Sequence, residues 1–117
     1  MNSALQQVID ESGIKRGFLL LRSPHSTAAL ICNERDPDVH EDLKSVLEGV
    51  IPANQAWRHS YEGNINARAH QAVAYLGTSE WAPVESGQLK LGTWQELFLV
   101  ELFEPRQRRV DVVIVGE

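Results

Sequence analysis

From Trp94 to Phe103 the chain alternates in a way that limits what it can become. Trp94, Glu96, Phe98, Val100 and Leu102 fall on one side, and Gln95, Leu97, Leu99, Glu101 and Phe103 on the other. Both sides are largely apolar, the mark of a strand covered above and below, so the stretch predicts a central strand. Residues Arg109 to Val115 predict another. The short connection Glu104-Pro105-Arg106-Gln107-Arg108 predicts a hairpin between the two.

The rest of the chain supplies cover for such a strand. Leu5, Val8 and Ile9, stopped by Gly13, predict a short helix over residues 3–12. Gly17 to Arg22 is a continuous apolar run whose length suits a strand buried on both faces, and Ala28 to Cys32 predicts a second strand after the Ser23-Pro24 break. Asp36-Pro37 is a helix start, with Asp as N-cap and Pro at the first helical position. Val39, Leu43, Val46, Leu47, Val50 and Ile51 then keep helical spacing up to Pro52. Asp38, Glu41 and Asp42 suit the positive end of that helix, and His40 beside them reads as solvated. A further helix is expected from about Asn66 to Leu76, then short strands over 80–84 and 88–91 around the turn Glu85-Ser86-Gly87. The order predicts one α+β domain spanning residues 1–117, with an antiparallel C-terminal sheet.

Composition narrows the function classes. With 117 residues, 43% hydrophobic and 23% charged, the chain is globular, and its net charge of −5 argues against a general nucleic-acid binder. Cys32 is the single cysteine, so no internal disulfide can form. No apolar run approaches the ~20 residues of a membrane span, and the N-terminus lacks the basic and apolar regions of a signal peptide. The expectation is a cytoplasmic protein without a membrane partner.

The polar groups concentrate between Trp57 and Gly77, where His59 lies in a predicted loop and His70 near the start of a predicted helix. Imidazoles ligate zinc, and a catalytic zinc site takes three protein ligands and an open position. The spacing of these two matches no standard metal motif, and an isolated histidine is more often a surface or partly buried residue. His25, before Ser26-Thr27, is a candidate third member or a plain turn residue. Glu101 is a carboxylate on an otherwise apolar strand and needs a partner, for which Arg108 or Arg109 across the expected hairpin is the candidate. Gly92-Thr93-Trp94-Gln95 offers a hydroxyl, an indole donor and an amide for a small polar ligand, or a packed Trp after a turn. No phosphate-binding glycine loop, nucleophile elbow, H-E-x-x-H or C-x-x-C occurs.

Taken together these residues resemble the YjbQ family, whose members often carry the label secondary thiamine-phosphate synthase enzyme. The resemblance rests on Glu11-Ser12-Gly13-Ile14, Pro24-His25-Ser26-Thr27-Ala28, Asn33-Glu34, Asp36-Pro37-Asp38-Val39, His59, Tyr61-Glu62-Gly63 and His70. It continues through Leu91-Gly92-Thr93-Trp94-Gln95, Glu101, Arg106 and Arg108-Arg109-Val110 to the C-terminus. It implies a subunit of mixed or antiparallel β-sheets flanked by helices, assembled as a homotrimer with pockets near the subunit contacts. It also implies that His25, His59 and His70 line one polar site that takes a metal or an anion, with zinc the first expectation from the imidazoles. Ser26, Thr27, Asn33, Glu34, Gly63, Thr93, Trp94 and Gln95 are then the expected substrate-binding groups.

The sequence departs from the family pattern in two ways. Members usually begin with a strand or two before the first helix, at which this sequence starts, so a sheet edge is left to be covered. Asn66 stands where an Asp is common, and an amide is a weaker partner for a cation and no base.

The function implied is a small-molecule enzyme acting on a phosphorylated substrate. His59, His70 and His25 would hold a divalent metal that polarises a phosphate or pyrophosphate oxygen. Arg108 would neutralise developing charge, and Glu101 would orient Arg108. For thiamine-phosphate formation the leaving group is pyrophosphate, yet the chain has no acidic cluster for a magnesium–pyrophosphate unit. A non-catalytic trimer that binds a metal or phosphorylated metabolite, and a metal-dependent hydrolase, use the same residues.

Overall fold

The computed structural model describes residues 1–117, which form α1 (Asn2–Ser12), β1 (Arg16–Arg22), β2 (Ala28–Glu34), α2 (Pro37–Val50) and α3 (Asn64–Leu76). β3 (Ser79–Glu85), β4 (Gln88–Leu89), β5 (Gln95–Glu101) and β6 (Asp111–Gly116) complete the α+β domain. A four-stranded sheet has the order β4-β3-β1-β6, a two-stranded ribbon pairs β2 with β5, and every pairing is antiparallel.

The helices begin and end where local chemistry dictates. Asp36 accepts the Asp38 N–H at 2.8 Å with Pro37 behind it, so two groups that would otherwise lack partners are accounted for at the start of α2. α1 ends at Gly13, whose φ of 73° is the left-handed geometry that glycine adopts without a Cβ clash. α3 starts at Asn64, two residues earlier than the expected Asn66, so His70 sits well inside the helix instead of near its start.

Two apolar cores lie on either side of the β2–β5 ribbon. Leu19 and Leu21 of β1, Ala82 and Val84 of β3, Leu30 and Leu97 of the ribbon, and Leu5 and Ile9 of α1 make the first. On the other face, Ala29 and Leu102 meet Leu47 and Ile51 from the α2 side and Ala69, Ala72 and Val73 of α3. The four-stranded sheet and α1 therefore lie on one side of the ribbon, and α2 and α3 on the other.

This arrangement corrects three expectations. β5 is apolar on both sides, but it is not a central strand, because it pairs with β2 alone. Its two-sided burial comes from the layers above and below it. The α1 side chain of Asn2 caps its free edge, donating to the Gln95 carbonyl at 3.2 Å and accepting the Leu97 N–H at 3.1 Å. Second, β5 and β6 form no hairpin, since β6 crosses to the other sheet and pairs with β1. Third, β1 is buried on one face only, with Phe18 and Leu20 exposed opposite Leu19 and Leu21.

At the end of the β1–β6 pair, Gly17 faces Gly116. A Cβ at Gly17 would lie 1.9 Å from the Val115 carbonyl oxygen, so only glycine permits this approach.

Candidate functional site

The loop of residues 23–27 between β1 and β2 is the hub of the site. Ser23 is buried and fixes it, donating from Oγ to the Ala28 carbonyl at 2.8 Å and accepting the His25 N–H at 3.3 Å. From that frame each following residue reaches a different element. His25 Nε2 accepts the Arg109 N–H at 3.0 Å, the Ser26 carbonyl lies 3.1 Å from His70 Nδ1, and Thr27 Oγ1 accepts from Arg108 Nη2 at 2.8 Å.

Those contacts set the imidazole tautomers. A carbonyl only accepts, so His70 carries its proton on Nδ1 and keeps a lone pair on Nε2. His25 is the same tautomer, with its proton on Nδ1, but its Nε2 lone pair is taken by the Arg109 N–H. His59 comes from the irregular segment between α2 and α3, and its ring stands edge-on to His70 with centroids 4.7 Å apart and an interplanar angle of 86°. Its Nε2 is buried without a hydrogen-bond partner. One turn before His70 on α3, Asn66 is 3% exposed and its Oδ1 also lacks a partner.

Glu101 and Arg108 form the charged half. Arg108 donates from Nε to Glu101 Oε1 at 2.7 Å and from Nη2 to Oε2 at 2.6 Å. Glu101 Oε2 also accepts the Leu102 and Phe103 N–H groups at 3.1 and 3.2 Å. Hydrogen bonding from Arg108 holds the Glu101 carboxyl below the usual carboxylate range; partial burial opposes this, and the Phe103 N–H, the guanidinium charge and the Leu102 N–H reinforce it. The pairing expected across a hairpin thus exists without the hairpin, since Arg108 folds back along the connection to β6.

Not every expected residue belongs here. Asn33 and Glu34 pair with Glu96 and Gln95, at the opposite end of the ribbon from the Ala28–Glu101 pair. At the rise of a strand that is roughly 20 Å away. The Gln95 and Asn33 side chains make only local bonds there, to the Gly92 and Glu34 amides, and Thr93 and Trp94 are exposed. Within one chain these residues do not line the histidine site. Gly63 is the N-cap of α3 with φ 93°, a backbone role.

The three-histidine metal set is not assembled by one chain either. No group of three or more His, Cys, Asp or Glu side chains is placed to hold a metal ion, and the hydrogen bond to Arg109 occupies the His25 nitrogen. His59 Nε2, His70 Nε2 and Asn66 Oδ1 are donors of a suitable kind, but they fall short of a complete set.

Two roles were missed from sequence. Ser23 is the loop's anchor, signalled only by its place before Pro24. His40 is not solvated, as it packs edge-on to Phe98 at 4.6 Å, and its Nε2 is buried without a partner. It lines a cavity of about 420 Å³ between α2 and the helix-facing side of β5, whose wall includes Glu101 but neither His59 nor His70.

The family described as UPF0047 protein YjbQ-like matches residues 1–117. A UPF0047 protein of Methanothermobacter thermautotrophicus is 38% identical over 117 residues, 100% of this chain and 81% of that one. The UPF0047 protein YjbQ of Escherichia coli O157:H7 is 34% identical over 115 residues, 97% of this chain and 83% of that one. Among solved structures, a YbjQ-like protein of unknown function from Sulfolobus solfataricus gives a TM-score of 0.92 at 38% identity, over 99% of this chain and 84% of that one. An uncharacterised conserved YjbQ/UPF0047 protein from Clostridium acetobutylicum gives 0.90 at 37%, over 97% and 87%.

Proposed function

The chain belongs to the YjbQ-like UPF0047 family, and on that premise we propose that it is a small-molecule enzyme acting on a phosphorylated substrate at the site around the loop of residues 23–27. One observation carries the reading: the same loop fixes the tautomer of His70 through the Ser26 carbonyl and the guanidinium of Arg108 through Thr27. An imidazole with a free Nε2 is suited to proton transfer at neutral pH. A guanidinium held by a carboxylate and a hydroxyl is suited to a phosphoryl oxygen. Glu101 offsets part of that charge, so Arg108 acts through directed hydrogen bonds more than through net attraction. Hydrolysis of a phosphate ester and transfer with pyrophosphate as leaving group, of which thiamine-phosphate formation is one case, both fit these groups. Self-association as a homotrimer is part of the reading.

A second reading, a non-catalytic binder of a divalent metal or phosphorylated metabolite, is favoured by the unpartnered His59 Nε2 and Asn66 Oδ1. Zinc suits the imidazoles by ligand type. The test is turnover of the native chain, His59→Ala and His70→Ala on a panel of phosphate and pyrophosphate esters, with metal per chain by elemental analysis. The enzyme reading expects His70→Ala to lose about 100-fold or more in kcat, the usual worth of a general acid–base group, with its circular dichroism unchanged. Unchanged turnover in both variants sinks it. A native chain with no turnover, whose bound metal disappears in either variant, establishes the binder.

A further inference from the structure

We propose that Ser23 is a positioning residue, whose hydroxyl holds the His70 imidazole and the Arg108 guanidinium in one fixed arrangement. The inference rests on the enzyme reading above for its kinetic consequence, but not for its geometry.

The phase of the β2–β5 ladder creates the need for that hydroxyl. The Leu102 N–H donates to the Thr27 carbonyl at 3.1 Å, and the next residue, Ala28, lies opposite Glu101. Hydrogen-bonded and non-hydrogen-bonded pairs alternate along an antiparallel ladder. The Ala28 carbonyl therefore points away from β5 and receives no donor from it. Ala28 is fully buried, and a buried carbonyl left without a donor is costly. Ser23 Oγ supplies the donor at 2.8 Å, and the same oxygen accepts the His25 N–H. Ser23 is itself 2% exposed, out of reach of bulk water.

The same residue ties the loop to the helix that carries His70. The Ser23 N–H donates to the Thr78 carbonyl at 2.8 Å, just past Gly77, the C-cap of α3. The Leu30 N–H of β2 donates to the Gly77 carbonyl at 3.1 Å, so β2 is docked against the same helix end. Ser23 is thus bonded to the end of α3 through its backbone and to the start of β2 through its side chain. Between those anchors hang the Ser26 carbonyl, facing His70 Nδ1, and Thr27 Oγ1, accepting from Arg108. Ser23 bonds to neither His70 nor Arg108, so it acts through the loop. Without the hydroxyl, the Ala28 carbonyl and the His25 N–H lose their shared partner, and the loop must shift to find others. The shift takes the Ser26 carbonyl off His70 Nδ1, where nothing else then holds the proton, and takes Thr27 off the guanidinium in the same step.

The test reads both groups by NMR, which needs no substrate. Long-range proton–nitrogen correlations give the His70 tautomer, and exchange of the Arg108 Nε–H with water gives the hold on the guanidinium. The native chain is expected to show His70 with its proton on Nδ1 and a slowly exchanging Arg108 Nε–H. Ser23→Ala, with a native-like circular dichroism spectrum, is expected to lose the Nδ1–H signature and to exchange faster at Arg108. Ser23→Thr, which keeps the hydroxyl, restores both. Thr27→Val removes the guanidinium contact alone, so it speeds the exchange and leaves the His70 tautomer native. On any ester that the native chain turns over, Ser23→Ala should lose about 10- to 100-fold in kcat with KM little changed. A folded Ser23→Ala with both signatures native overturns the proposal, however much stability it has lost, because that is the behaviour of a purely structural serine. A change in only one signature overturns it too. Ser23→Cys, a weaker donor, covers the case in which Ser23→Ala does not fold and is judged by the same two signatures. A native chain without turnover removes the enzyme reading, while the NMR comparison still decides the role of Ser23.

Discussion

Removing the acid of the Glu101–Arg108 pair is expected to destabilise the fold more than removing the base. The Arg108 side chain is 8% exposed and the Glu101 side chain 29%. In Glu101→Gln the guanidinium stays in place with the Thr27 hydroxyl and an uncharged amide for partners. Breaking a buried pair from one side costs about 3–5 kcal/mol, and access of water at Glu101 puts this case near the lower end, about 3 kcal/mol. In Arg108→Met the carboxylate keeps the Leu102 and Phe103 N–H groups and its contact with water. The loss is then one charge-assisted bidentate contact, about 1.5 kcal/mol. The difference of about 1.5 kcal/mol is more than tenfold in the folding equilibrium. The double variant should cost less than the two singles combined, because the partners are coupled.

The pH dependence has a definite sign. The folded Glu101 carboxyl titrates below its unfolded value, chiefly through the Arg108 hydrogen bonds. Its contribution is therefore complete above the unfolded glutamate pKa of about 4.3 and is lost as pH falls through the lower folded value. The stability gap between the native chain and Glu101→Gln should hold from pH 7 to about 5 and shrink towards pH 3. Urea unfolding at one fixed protein concentration, followed by tryptophan fluorescence, measures both effects. An Arg108→Met variant at least as destabilised as Glu101→Gln, or a gap that widens on acidification, would refute the reasoning.

The same substitution at two glycines should act in opposite directions. Gly17→Ala drives a Cβ into the Val115 carbonyl and should cost about 3 kcal/mol, the upper end of overpacking penalties. Gly49→Ala, inside α2 with nothing within 4 Å of the added carbon, should gain about 0.5 kcal/mol; thermal melts of the two distinguish them. Asp36→Ala removes the side-chain cap of α2 and should cost about 1 kcal/mol, read as a lower urea midpoint with an unchanged slope.

What the sequence made legible was local. Asp36-Pro37, Gly13 and Gly77 mark helix ends through their own backbone chemistry, and the structure ends the helices there. The start of α3 was misplaced because Gly63, in a left-handed conformation, caps it without any side-chain signal. The partnership of Glu101 with Arg108 was legible because a carboxylate on an apolar strand must find a cation, and few were near in sequence. The separation of Asn33, Glu34, Thr93 and Trp94 from the histidines was not, because shared motifs carry no distances.

The misreading of β5 has a more general cause. Hydrophobicity on both sides of a strand reports what lies above and below the sheet; it does not report what lies beside it. Here the four-stranded sheet and the helices supply both covers, so an edge strand carries the pattern of a central one. Its free edge is managed by a side-chain amide, Asn2, which no strand pattern can register. The opposite case is the outer side of the four-stranded sheet, where Phe18, Leu20, Trp81, Val113 and Val115 carry the pattern of a covered face that this chain leaves open. In β5 the sequence pattern is satisfied by layers within the chain. On the outer sheet nothing within the chain satisfies it, so a run of apolar residues along a strand does not by itself establish that both faces are covered.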